Sequence, residues 1–231
     1  ANLDQDAAWR RATVLKDMSG LGSFWFHAPF AELSPASIDP KVRAVTALRY
    51  RQAVEMATSL GISRLVIHSG FIPLVYFPEW FVEQSVRFWR DFLPEVPQDM
   101  TIALENVWNN FLISPLEMAR FIDEVDSPRV KAYFDIGNVL LFGEPEHWIH
   151  ALGSRIARMH VKDFKRSVGN INGFCDLMEG DVNFPEVVKA CKAIGYEGPI
   201  TAEMTPYPVY PMEQAYRTSR ALDVILGRIQ E

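Results

Sequence analysis

Six short apolar runs punctuate the chain: Phe24 to His27, Arg64 to His68, Thr101 to Glu105, Val130 to Asp135, Ile156 to Val161 and Pro199 to Glu203. Each is continuous rather than alternating, the pattern of parallel strands covered on both faces. Stretches with helical spacing lie between them. Asp39-Pro40 supplies an N-cap and a preorganised first turn. Val42, Val45, Leu48, Ala53, Met56, Ala57 and Leu60 then predict one buried face, stopped at Gly61. Ser114-Pro115-Leu116-Glu117 reads as a capping box opening a second helix. A third is expected from Asn183 to Ile194, with Glu186 three residues after the cap and Gly195 as terminator, and a helical tail from Met212 to Ile229.

Repeated strand–helix alternation predicts an α/β fold with a parallel sheet. An open doubly wound sheet calls for a glycine-rich turn after the first strand, and the chain has no GxGxxG or Walker A run. A (β/α)8 barrel of the TIM type calls instead for ionisable residues at the C-terminal ends of several strands, where its site is assembled. That pattern is present. His27, His68, Glu105, Asp135 and Glu203 end five of the runs, and His160 lies near the end of the sixth. Three carboxylates converging at one barrel mouth would repel each other strongly unless a cation sat among them. Two Glu, one Asp and one His make a mostly oxygen site that suits Mn²⁺, Mg²⁺ or Co²⁺, with Zn²⁺ as an alternative.

Composition narrows the field. At 231 residues the chain suits one domain, spanning 1–231. A net charge of −6 leaves no basic face for a nucleic-acid partner. No apolar run approaches the roughly 20 residues that span a bilayer, and no secretory leader is visible. Cys175 and Cys191 lack CxxC spacing and read as reduced thiols, which points to a cytoplasmic protein.

The segments ALENV (Ala103 to Val107), YFDIGN (Tyr133 to Asn138), RMHVKDF (Arg158 to Phe164), EGDVNF (Glu179 to Phe184) and ITAEM (Ile200 to Met204) resemble the xylose isomerase-like barrel superfamily. Within it they are similar to the sugar phosphate isomerase/epimerase group, related to ketose 3-epimerases and hydroxypyruvate isomerases. The resemblance implies one essential divalent ion held by Glu105, Asp135, His160 and Glu203. It also implies that Glu105 and Glu203 are an acid/base pair on opposite sides of the substrate. Arg166 lies six residues after His160, the spacing of a substrate-binding arginine in related 3-epimerases. His27 and His68 match positions that bind further metal in abasic-site endonucleases and contact substrate in isomerases. Asn138 stands where several relatives carry histidine. The substrate-contact set is therefore expected to be His27, His68, Asn138, Lys162 and Arg166. Trp80, Trp108 and Phe111 either wall the pocket or pack in the core.

One departure from the family stands out. Its first two β/α units have no counterpart here, and Asp4 to Lys16 is expected to be the helix after the second strand. Either the sequence is a piece of a longer chain, or another chain, such as a second copy in a homo-oligomer, covers the opening. The expected function is metal-dependent isomerisation or epimerisation of a sugar or sugar phosphate through an enediolate. The alternatives are a dehydratase on the same scaffold, an abasic-site endonuclease-like enzyme, and a non-catalytic sugar-binding protein.

Overall fold

The structure, a computed structural model, describes residues 24–73 and 75–229 together with Thr13, Asp17 and Gly20. The helix expected over Asp4 to Lys16 lies outside the described residues except at Thr13. In chain order the elements are β1 (Phe26–His27), α1 (Pro40–Ser59), β2 (Arg64–His68), α2 (Pro78–Phe92), β3 (Thr101–Glu105), α3 (Pro115–Val125), β4 (Val130–Asp135), α4 (Pro145–Leu152) and β5 (Ile156–Val161), then β6 (Asp163–Phe164), β7 (Phe174–Cys175), α5 (Phe184–Ala193), β8 (Ile200–Ala202) and α6 (Pro211–Ile225). Six strands form one sheet in the order β1-β2-β3-β4-β5-β8. Its order follows the chain and never reverses, so the sheet has the topology of a barrel wall and lacks the switch point of a doubly wound sheet. The first run yields only a two-residue strand at Phe26–His27. A short antiparallel pair, β6 with β7, interrupts the alternation and was not expected from the sequence.

The chain forms two compact units, residues 1–103 with 125–130, and 104–124 with 131–231. In the first, Asp39 accepts from Lys41 N at 2.8 Å to cap α1, and Gly61 takes the positive φ of 65° that ends it. The buried stripe of α1 differs from the expected one. Thr46, Tyr50, Ala53, Val54 and Ala57 are buried, whereas Val45 and Leu48 are half exposed. This helix carries apolar residues on two faces, and the packed face is decided by Tyr50. Its ring stacks on Trp89 with centroids 5.8 Å apart, and its hydroxyl donates to His68 O at 3.1 Å. Arg129 closes the same unit by donating to the carbonyls of Leu93, Val96 and Pro97.

In the second unit Phe134 stacks on Trp148 with centroids 5.9 Å apart, and Phe111 meets Phe121 edge to face. Phe111 is fully buried, so it is core and not pocket wall. Helix α5 starts as expected, with Asn183 accepting from Glu186 N, and Gly195 follows it at φ 66°. His147 and His150 lie exposed on α4. Neither cysteine is in a disulfide. Among the described residues no helix is long and apolar enough to cross a membrane.

Asp163 fastens the excursion between β5 and α5. Its carboxylate is fully buried and accepts from Phe164 N at 2.8 Å, Gly180 N at 2.9 Å and Val182 N at 3.1 Å. A Cβ on Gly180 would overlap that carboxylate and stand 2.7 Å from Phe164 N, so only glycine permits this approach. Asp163→Ala leaves three main-chain donors without their acceptor and is expected to cost about 3 kcal/mol. Urea unfolding measures this; a loss under about 1 kcal/mol would mean the loop amides find other partners.

Candidate metal centre

Register brings the donors together. In the parallel β4–β5 pair Asp135 stands opposite His160, and in β5–β8 His160 stands opposite Thr201. One step beyond β8, Glu203 N donates to Val161 O at 3.1 Å, which carries Glu203 to the same end of the sheet. Glu105 ends β3. One donor atom from each of Glu105, Asp135, His160 and Glu203 lies within 4.8 Å of all the others. His160 Nδ1 is 2.9 Å from Glu105 Oε1, 3.6 Å from Asp135 Oδ2 and 3.9 Å from Glu203 Oε2.

Each ligand candidate is oriented by neighbours. The Asn106 side chain accepts from Asp135 N and donates to Asp135 O, both at 2.8 Å, tying the end of β3 to the end of β4. Asp135 Oδ1 accepts from Asn138 N at 2.9 Å, which turns Oδ2 toward the cluster. Asn138 is buried. Its Nδ2 donates to Asn106 O and its main-chain carbonyl accepts from Trp108 Nε1, so it links the ends of β3 and β4 beside the cluster. The indole of Trp108 stacks on Phe174 at 5.2 Å. The Tyr133 ring packs edge-on against His160 at 4.5 Å, and burial pushes its phenol up to about 12.

Two cations serve the three carboxylates. Burial works against charge on His160, yet hydrogen bonds and Coulombic attraction from Asp135 and Glu105 outweigh it and raise the ring from 6.5 to about 9. Lys162 Nζ lies 2.9 Å from Asp135 Oδ2 and 2.5 Å from Glu203 Oε2. Burial again opposes its charge, and the two carboxylates overcome that and raise its pKa. The two glutamates differ sharply. The side chain of Glu105 is 4% exposed and that of Glu203 54%.

The other expected site residues have partners of their own. Arg166 is bound to Glu144, with its Nη1 2.8 Å from Oε1 and its Nη2 2.8 Å from Oε2, and also donates to Gly143 O. Its main-chain N donates to Asp181. His27 and His68 belong to the first unit, edge to face at 4.9 Å, with Phe30 stacked on His68 at 4.2 Å. Trp80, also in that unit, packs edge-on against Tyr76. Asn106 escaped the sequence reading, although its place beside Glu105 within ALENV was an available signal.

The donor chemistry fits a divalent ion. Donors bonded at about 2.0–2.3 Å to one ion stand no more than about 4.0–4.6 Å apart, and the distances from His160 Nδ1 to the three carboxylates, 2.9, 3.6 and 3.9 Å, fall inside that limit. Residues 3–224 match the family model described as the xylose isomerase-like TIM barrel. The chain belongs to that family. Within it, an uncharacterised protein of Methanocaldococcus jannaschii is 31% identical over 192 residues, covering 77% of this chain and 62% of its own length. The chain thus spans less than two thirds of that curated relative. Among solved structures, a D-tagatose 3-epimerase-like protein superposes with a TM-score of 0.81 at 24% identity, over 97% of this chain and 85% of its own. The IOLI protein with a bound zinc atom gives 0.81 at 14% identity, over 100% and 87%. At these identities both establish the barrel-family fold.

The raised pKa of His160 has a signed consequence for the cation-free protein. Stability contributed by its protonated ring is fully present below the unfolded value near 6.5 and is lost as pH rises through about 9. In EDTA, stability measured by urea unfolding is expected to fall between those values, and His160→Asn to flatten the slope. An unchanged slope in that variant would place the titration elsewhere.

Proposed function

We propose that this family member is a divalent-metal-dependent isomerase or epimerase acting on a sugar or sugar phosphate, with Mn²⁺ as the preferred ion. The observation that carries the reading is the unequal burial of two glutamates sharing one four-donor cluster. Glu105, Asp135, His160 and Glu203 would hold the ion. When bound, it would polarise a substrate carbonyl and acidify the neighbouring C–H.

Glu203, half exposed, is the carboxylate that can meet a substrate arriving from solvent. It is assigned as the base that takes the C–H proton onto a carboxylate oxygen, leaving the electron pair in an enediolate. Glu105, buried beside His160 Nδ1, is assigned as the group that enters the step protonated and returns that proton, ending as a carboxylate while Glu203 ends as the acid. Delivery to the opposite face of the same carbon gives an epimer; delivery to the adjacent carbon exchanges aldose and ketose. Lys162 Nζ, beside both Asp135 and Glu203, is assigned to a substrate oxygen. Arg166 is assigned to the outer part of the substrate, reached by loosening its exposed pair with Glu144. His27 and His68 remain assigned to substrate contact on the strength of the family resemblance. The fold shared with a D-tagatose 3-epimerase-like protein supports this class of reaction.

The test is solvent deuterium incorporation across a panel of ketoses and ketose phosphates with Mn²⁺. Exchange without loss of water is expected, whereas a dehydrated product would make the protein a dehydratase instead. Glu203→Gln is expected to slow exchange by about 100-fold or more while retaining Mn²⁺; normal turnover in that variant would refute its role as base. Arg166→Ala is expected to raise KM several-fold with Mn²⁺ affinity unchanged. An unaltered KM would remove Arg166 from the substrate.

A further inference from the structure

Lys162 is a cation already seated on part of the cluster that would hold the metal. Its ammonium bridges Asp135 Oδ2 and Glu203 Oε2 at 2.9 and 2.5 Å. These carboxylates belong to two of the four donors, one from β4 and one just past β8. The lysine is held there deliberately. A Cβ on Gly137 would lie 2.5 Å from Lys162 Cγ and 2.9 Å from Lys162 O, so the bare glycine is what lets the lysine stem pass beside the end of β4. The Phe174 ring lies 4.7 Å from Nζ and offers a second resting place through its π face.

We propose that Lys162 is a resident competitor for the metal seat, displaced from at least one carboxylate when a divalent ion enters, so that it sets the affinity of the site. This rests on the metal-site reading above. An ion bonded to the same oxygens at about 2.0–2.3 Å would stand within about 4 Å of the present ammonium position, a strongly repulsive spacing in a half-buried site. Asp135 cannot yield, because it is fully buried and its Oδ1 is fixed by Asn138 N. The exchange therefore takes place at the exposed Glu203 side chain and the lysine tip. Removing the ammonium leaves all four donors intact and takes away the charge that opposes the ion. A purely structural role for Lys162 predicts the reverse, weaker metal binding once the cluster loses its brace.

The experiment uses the full chain stripped with EDTA and titrated with Mn²⁺, free ion being followed by electron paramagnetic resonance. Lys162→Met is expected to bind Mn²⁺ roughly tenfold more tightly than the native protein. Lys162→Gln, which keeps a polar tip, is expected to gain similarly, and Lys162→Arg, which keeps the charge, to stay near native affinity. The upward shift in Tm on adding Mn²⁺ should be larger for the two neutral variants. Equal or weaker binding by both neutral variants, with the native protein still binding Mn²⁺, would overturn the competitor role alone. No Mn²⁺ binding by the native protein would overturn the metal-site reading and this inference together.

Discussion

Mutual repulsion among Glu105, Asp135 and Glu203 is the constraint that organises the second unit. Three carboxylates with donor atoms inside 4.8 Å cannot share a half-buried space without positive charge among them. The chain answers with His160 and Lys162, each kept cationic against the cost of its own burial. Parallel register places Asp135 opposite His160, and a main-chain bond from Glu203 to Val161 sets the last acid at the same level. The acids meet because the strands align, not because they attract one another.

Holding such a cluster requires stiff surroundings. Asn106 and Asn138 convert the ends of β3 and β4 into one hydrogen-bonded block, which fixes Asp135 through both its main chain and Oδ1. Asp163 and Gly180 do the same for the excursion after β5, where a buried acid accepts three main-chain amides. Against this rigid background Glu203 is the exception, with more than half of its side chain reaching solvent. Asp135 is thus buried and fixed, whereas Glu203 in the same cluster is open to solvent.

Much of this was legible in the chain. Six strands, the caps at Asp39 and Asn183, and the glycine stops at Gly61 and Gly195 follow from local chemistry, although the first and last strands are shorter than their apolar runs. Six ionisable strand-end residues were legible because a charged group at the end of an apolar run has no local reason to be there, and the family motifs singled out the four that cluster. Less legible was the packed face of α1, where apolar residues lie on two sides and the stack of Tyr50 on Trp89 selects one. Arg166 shows a different limit. Spacing from His160 gives its place in the loop after β5 but not its ion pair with Glu144, on the approach to α4.

By itself the sequence determined the alternation of strand and helix, the strand ends that carry acids and histidine, and the charges available to a site. These depend on residue type and short-range spacing, which are fully present in a linear chain. Only the tertiary structure decided which acid is buried and which is open, that Asn138 ties Asp135 to the end of β3, and that Lys162 bridges two of the carboxylates. Those outcomes depend on register between strands and on the burial each side chain receives, and neither quantity exists until distant segments have packed together.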